Sequence, residues 1–329
     1  MTIEILYDTV ENEELELFFK TAIGYTVFHN PYFLSYHSLN KFSELKEFTF
    51  FSLIFRKGTN IIGFLPGASY IDEKGDKIFK SPFYSSFGGF IVYPEIDFES
   101  AENIVETSLD LFKEHGFKNV FIGLTPESYL GQQFFINNYF TYVFLSKGFR
   151  LTGTELFVTR PLSENDNFSD LDYSIRKQLK QANNNKLVFM PAEIDQHIYD
   201  LLLSNRKKFN AIPTHTFTDL VKINQLFKDT VYVFKTMQGD KLLAGAITIK
   251  ANGNVLNTFY LFDDESERNL RGMQYTYYKV IEWAADNKFR YVDFGSSTLD
   301  LTPGHALIHY KEKFGGKPFL RMVYNKSID

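Results

Sequence analysis

Cysteine is absent from all 329 residues. Its absence removes disulfides, thiolate metal sites and thiol nucleophiles together. No stretch approaches the roughly 18 consecutive apolar residues that a spanning helix needs, so no membrane span is expected. The opening MTIEILYDTVENEELELFF is acidic where a secretory leader would be basic, and the expected location is the cytoplasm. A formal net charge of −5 excludes a surface built throughout for nucleic acid and leaves room for a local basic face. Zinc chemistry of the HExxH kind is excluded as well, because the HALIH pair His305/His309 carries Ala306 where the Glu would stand.

What the chain does have is bulk for large cores. Apolar residues make up 44%, and 36 Phe and 20 Tyr stand against a single Trp. Such side chains bury large areas or line clefts. The length fits two domains of similar size, expected at 1–155 and 156–329. In the first half an acidic helical segment near Asn12 to Ala22 is followed by Pro31 at a helix start. Strand-like runs follow at EFTFFSLIFRKG, NIIGFLPGASYI and FKSPFYSSFGGFIVYP, then a helix at ESAENIVETSLDLFKEHG with Gly116 at its stop, then the strand FKNVFIGL.

The second half repeats that order. TVYVFKTMQGD, KLLAGAITIKANG and NVLNTFYLFD read as strands, RNLRGMQYTYYKVIEWAADN as a helix burying Leu270, Met273, Tyr277, Val280, Ile281 and Ala284, and FRYVDFG as the closing strand. GFKNVFIG aligns with KFRYVDFG, so Val120 meets Val292 and Phe121 meets Asp293. The sequence implies a duplicated α/β (α+β) unit, each copy a mixed, mostly antiparallel sheet flanked by helices. Between the copies lies a basic helical segment; seven Lys and Arg, Arg176 and Arg206 among them, face four acids between Leu171 and Asn210.

The tripeptide Asp293-Phe294-Gly295 invites a kinase reading, but no GxGxxG and no HRD-like triplet precede it. An acid in an otherwise apolar closing strand still needs a reason, because an unpaired buried carboxylate is costly. Either it orients a substrate or catalytic group at the strand's C-terminal end, or backbone N–H groups of the following GSST turn satisfy it. Lys311, in HYKEKFGG, either neutralises a phosphate or lies solvated on the surface, and Gly315-Gly316 would let a ligand approach the backbone closely.

Two such units joined by a basic segment resemble the GNAT superfamily, and within it the Fem family, whose members transfer amino acids from aminoacyl-tRNA to peptidoglycan precursors. The residues carrying the likeness are SIRKQLKQANNNKLVF, LLAGAITI, GMQYTYYKVIEWAADNKFRYVDFG and HYKEKFGG. The resemblance implies two tandem GNAT-like domains and an N-acyltransferase. No tightly bound cofactor is implied; acyl-CoA or aminoacyl-tRNA serves as co-substrate, and the acceptor is an amine of a cell-envelope or sugar/peptide precursor. It places Arg271, Gly272 and Gln274 at the helix start that would face the donor's pyrophosphate, and Tyr260 beside the acyl group. Asp293, Tyr260 and Lys311 are thus the catalytic candidates, and Arg176, Arg206, Ser296 and His309 the substrate-binding ones. The alternative is a GNAT-like module that binds an envelope metabolite without chemistry.

Overall fold

The computed structural model describes residues 1–9, 11–36, 44–163, 166–208, 210–299 and 301–328. They form two compact units: Met1–Glu155 with Leu320–Asp329, and Leu156–Phe319. A division at 155/156 puts the chain's last residues in the second domain, whereas the structure returns them to the first. Their final strand pairs with a first-unit strand, Val323 opposite Gly123 through Ser327 opposite Asn119.

In the first unit, β1 (Thr2–Leu6) precedes α1 (Glu13–Phe19), whose start is capped where Asn12 Oδ1 accepts the Leu15 N–H at 3.0 Å. The aromatic run expected as one strand divides at Phe51 into β2 (Lys46–Phe50) and β3 (Ser52–Lys57). NIIGFLPGASYI likewise divides at Pro66-Gly67 into β4 (Asn60–Leu65) and β5 (Ala68–Ile71). FKSPFYSSFGGFIVYP yields only β6 (Lys77–Ser81) and the short β7 (Ile91–Val92). Pro82 has no N–H for a ladder, so the strand ends before it. Then α2 (Phe98–Glu114) buries Ile104, Val105 and Phe112, and Gly116 stops it at φ +71°, with Phe117 N–H bonded to Phe112 O at 3.0 Å. β8 (Asn119–Gly123), α3 (Phe135–Ser146) and β9 (Arg150–Pro161) follow, β9 passing into the second unit. The strand order is β1-β3-β4-β7 in one sheet, while β2, β5, β6 and β8 pair in succession, β6 and β8 in parallel.

The second unit starts with α4 (Tyr173–Asn184), β10 (Val188–Ala192), α5 (Gln196–Lys207) and α6 (Phe217–Leu226). β11 (Val231–Gln238), β12 (Lys241–Lys250) and β13 (Val255–Asp263) form an antiparallel meander. A 3₁₀ segment, Glu265–Leu270, leads into α7 (Gly272–Asp286), so Leu270 lies outside the helix whose face it was expected to share. α7 crosses back to β14 (Tyr291–Ser296), which pairs in parallel with β13 and antiparallel with β9. The hairpin β15 (Thr298–Leu299) and β16 (Thr302–Pro303), α8 (His305–Lys313) and β17 (Lys317–Ser327) complete the chain, β17 ending in the first unit. Val158, Leu179, Leu256, Tyr277, Val280, Ile281, Val292 and Phe314 make one core where α4, α7 and α8 cover a sheet face.

His29 ties the loops of the first unit. It is fully buried; its Nε2 faces Gly88 O at 3.0 Å, and the Thr26 N–H donates to Nδ1 at 3.1 Å. A second ring proton would meet that N–H head-on. Burial pushes the imidazole down to about 4. Between that value and the unfolded value of 6.5 the unfolded chain holds the extra proton, so stability falls as pH drops through this window. Denaturant titrations of the first unit should lose on the order of 3 kcal/mol between pH 7 and 4, and His29→Gln should flatten that dependence.

Candidate functional site

The second unit's sheet opens at one point. β13 and β14 pair only through Val255–Tyr291, Leu256–Val292 and Asn257–Asp293, although both strands continue. Beyond Asn257 the register of β13 against β12 slips, Tyr260 opposing Ile247 and Thr258 opposing Thr248, which leaves Phe259 as a bulge. On the other side β14 loses register with β9 between Asp293 and Ser296, where Gly295 takes φ +76°. Two parallel strands that bend apart leave a gap across the sheet.

Asp293 sits at the base of that gap and is fully buried. Its Oδ1 accepts the Gly295 N–H at 2.8 Å and Oδ2 accepts from Asn257 Nδ2 at 2.9 Å, while its main-chain O accepts the Thr258 hydroxyl at 2.9 Å. Each of the bent segments is thereby tied to one residue. Lys311, 2% exposed, lies neither on the surface nor free for a phosphate. Its ammonium donates to Gly295 O, Ser296 O and Ser297 Oγ, each at 2.9 Å, which uses all three protons. Burial lowers it to about 8 while Asp293 opposes the shift. The glycine pair beside it has another cause than ligand approach: a Cβ on Gly315 would lie 2.0 Å from Arg160 Nη1, and one on Gly316 2.4 Å from Val158 Cγ1.

The neighbouring Tyr310 was not singled out in the sequence. Its ring packs on Tyr277 and Phe314, yet its hydroxyl is buried with no hydrogen-bond partner among the described residues. Burial raises this phenol well above its ordinary value, and the charges of Tyr277 and Asp263 add to the rise while Arg268 opposes it. Asp263 ends β13, so the phenol lies within electrostatic reach of the open strand ends. On the opposite sheet face α5 packs against β13. There the Tyr260 hydroxyl meets His215 Nδ1 at 2.9 Å, and Arg206 lies 5.2 Å over the Tyr260 ring with its Nε buried and without a hydrogen-bond partner among the described residues. His215 also escaped the sequence reading; a lone histidine in a loop carries no pattern.

The remaining candidates are scattered. Arg176 is half-buried on α4, on the α7 side of the sheet and away from Arg206. Ser296 offers its carbonyl to Lys311 and its Oγ to Thr298 O at 3.2 Å. His309 is exposed, 3.9 Å from Glu312, and the His305/His309 pair faces solvent. At the start of α7, Gln274 is partly exposed, but a Cβ on Gly272 would lie 3.0 Å from Leu243 Cβ, and Arg271 Nε donates to Gln181 at 3.1 Å. Gln181 and Asn185 of α4 donate to Asn269 O and Leu270 O, each at 3.2 Å, and Asp263, Asp264, Glu265 and Glu267 precede the turn. These contacts tie the carbonyls before α7 to the α4 end, and Asp263, Glu265 and Glu267 are ion-paired with Lys208, Arg268 and Lys241. A surface cleft of about 360 Å³ by Tyr232 and Trp283 and one of about 650 Å³ by Asp166 and Glu282 lie elsewhere in the unit.

The first unit closes its own equivalent. β6 and β8 pair in parallel up to Ser81–Ile122, with Phe121 where the second copy has Asp293. Gly89 donates to Ser81 Oγ at 2.9 Å, and a Cβ on it would lie 2.8 Å from Gly123 O, so the Gly88-Gly89 loop fills the strand ends.

Asp293→Asn would set an amide N–H₂ among buried donors, and about 1–3 kcal/mol of stability should be lost by urea unfolding. For Lys311 the unfolded chain holds the proton between pH 8 and 10.5 while the folded one releases it. Wild-type stability relative to Lys311→Met should therefore rise through that range in paired denaturant titrations.

Residues 174–312 match the acetyltransferase (GNAT) domain family. No curated protein matches the chain by sequence. Among solved structures, FemX aligns over 98% of this chain and 97% of its own with TM-score 0.72 at 11% identity. A tandem GNAT protein from the clavulanic acid biosynthesis pathway aligns over 100% and 99% with TM-score 0.55 at 11% identity. L-PGS from Bacillus licheniformis aligns over 97% and 93% with TM-score 0.58 at 8% identity. At these identities the structures speak to the fold alone. The second unit thus matches a GNAT acetyltransferase domain over residues 174–312, and the chain as a whole shares its fold with FemX and the tandem GNAT protein.

Proposed function

We propose that the protein is an N-acyltransferase whose donor places its acyl carbonyl in the gap between β13 and β14, where an amine of a cell-envelope precursor attacks it. The observation that carries this reading is the buried Tyr310 hydroxyl, without a hydrogen-bond partner among the described residues, beside a gap held open by Asp293 and Lys311. A buried donor without a partner costs stability unless a ligand completes it. Its raised phenol keeps its proton near neutral pH and can deliver it to the oxygen or sulfur that leaves the acyl carbon. Asp293 and Lys311 hold the geometry in this reading, since their polar atoms already have protein partners. In this reading main-chain N–H groups at the diverging strand ends stabilise the tetrahedral oxyanion.

An aminoacyl ester suits the site better than a CoA thioester. Four acids precede the helix start that would take a pyrophosphate, whereas the basic face of α4, with Arg176, Lys177 and Lys180, has no acidic partner within 4 Å among the described residues. A face of that kind fits a polyanion such as the acceptor end of tRNA. The likeness to the Fem family points the same way. A binding module without chemistry would hold an acceptor and consume no donor.

Thermal-shift and turnover assays with acetyl-CoA, aminoacyl-tRNA and nucleotide-linked peptidoglycan precursors separate these cases. Aminoacyl-tRNA should be consumed only when an amine acceptor is present. Tyr310→Phe should lower kcat by about 10²-fold or more with an unchanged melting temperature. Equal turnover by that variant, or stabilisation by acceptors with no donor consumed, would overturn the reading.

A further inference from the structure

We infer that His215 is the proton acceptor behind Tyr260 on the α5 face of the gap, and that the pair deprotonates the incoming amine. The inference rests on the acyl-transfer reading above and adds a residue to it. Leu261 packs into the core under α7 and α8, so its neighbour Tyr260 points to the other face of β13, where Arg206 of α5 covers its ring. A gap that crosses the sheet thus has one phenol on each side. The Tyr310 hydroxyl, on the α8 side, has no hydrogen-bond partner among the described residues, and Tyr260, on the α5 side, is paired with an imidazole. That asymmetry suits a reaction in which one side gives a proton to a leaving group and the other takes one from a nucleophile.

The geometry around the pair is fixed by packing. Tyr260 and His215 are each 5% exposed, and the His215 ring lies 5.0 Å from Phe259, the bulged residue that turns β13 away from β14. When the imidazole carries its own proton on Nε2, Nδ1 accepts from the Tyr260 hydroxyl. The surrounding charged and titratable groups are Tyr199, Arg206 and Lys208 from α5 and its C-terminal cap, Asp219 from α6, and Asp263 from β13. Asp219 is held by the Thr216 N–H, and Asp263 by Asn205 and Lys208. Arg206, with no acid within 4 Å among the described residues, leaves a net positive field on the Tyr260 ring. Burial raises the Tyr260 phenol, and the Arg206 charge and hydrogen bonds with Thr214 and His215 offset only part of that rise, so the hydroxyl keeps its proton at rest and passes it to His215 Nδ1 only as it takes one from the amine.

The step balances as follows in atoms. An N–H bond of the acceptor ammonium breaks, its proton passes to Tyr260 Oη, and the Tyr260 proton passes to His215 Nδ1. The neutral amine then forms the C–N bond, the bond from the acyl carbon to the leaving oxygen breaks, and that oxygen takes a proton from Tyr310. The tetrahedral nitrogen returns a second proton to Tyr310, and His215 releases the first to solvent. Because Tyr260 stands between His215 and substrate, His215 is a positioning and relay residue whose removal must change proton handling specifically.

The experiment is the pH profile, from 6 to 9, of transfer from alanyl-tRNA to a nucleotide-linked peptidoglycan precursor bearing a lysine amine. Wild type, His215→Gln, Tyr260→Phe and the double variant are compared, with acetyl-CoA as a second donor. Wild-type kcat should rise with pH along an acidic limb. Each single variant should lose about 10²-fold in kcat with KM for the donor unchanged and the limb flattened, and the double variant should lose no more than either single one. A retained limb in His215→Gln, or losses that multiply in the double variant, would overturn the inference while leaving acyl transfer intact. Absence of wild-type turnover with both donors would instead remove the acyl-transfer reading, and the inference with it. Should a substitution fail to fold, His215→Asn and the imidazole ¹⁵N signals of the wild type replace it; His215 signals unperturbed by Tyr260→Phe would equally count against the pair.

Discussion

A sheet cannot open without leaving main-chain groups unpaired, and in this protein one carboxylate meets that need. Asp293 accepts from the residue after the bend in β14, from the last paired residue of β13, and through its main chain from Thr258 at the start of the divergence. Lys311 then ties the carbonyls just beyond. An acid and a base that a functional reading would send to the substrate are instead directed at the backbone. Their charge interaction survives because burial removes the screening water, and each finds enough hydrogen-bond partners to offset its own desolvation.

Around this junction, polar groups divide into those with protein partners and those without. Asp293 and Lys311 are committed; Arg160, 1% exposed, gives its terminal nitrogens to the carbonyls of Phe314 and Asn167, with Gly315 leaving room for it, while its Nε is buried without a partner among the described residues. The Tyr310 hydroxyl and Arg206 Nε are buried without partners among the described residues. Buried polar atoms are nearly always satisfied, so each exception needs a cause; Gln178 Oε1 is another in this unit, and the proposed function assigns a ligand to the Tyr310 and Arg206 atoms. They flank the opening from opposite faces of one sheet.

The duplication shows how the same topology can be open or shut. Both copies bring two strands parallel across a helix, and both have a glycine after the pair. In the first, Phe121 packs where Asp293 would tie a bend, and Gly88-Gly89 folds against the strand ends. A loop that supplies the missing main-chain partners removes the gap and the need for an acid. The second copy lacks such a loop, and side chains take over that role.

Much of the fold was legible, because period-2 and period-3.6 patterns, Gly116 at a helix stop and the repeated strand–helix–strand order depend on neighbours in sequence. Asp293 stood out for the same local reason, as an acid where apolar residues belong. Its purpose did not, since Asn257, Thr258 and Lys311 meet it only after folding. The breaks at Phe51 and at Pro66, the ties from the α4 end to the turn before α7, and the return of the last strand to the first unit escaped for the same reason. Tyr310 and His215 carried no signal at all among 20 Tyr and seven His. Composition and periodicity determined two α/β units and an anomalous acid, because those follow from contacts between near neighbours. Which polar groups are committed and which remain open was decided by tertiary structure, where strands distant in sequence diverge and leave a gap between them.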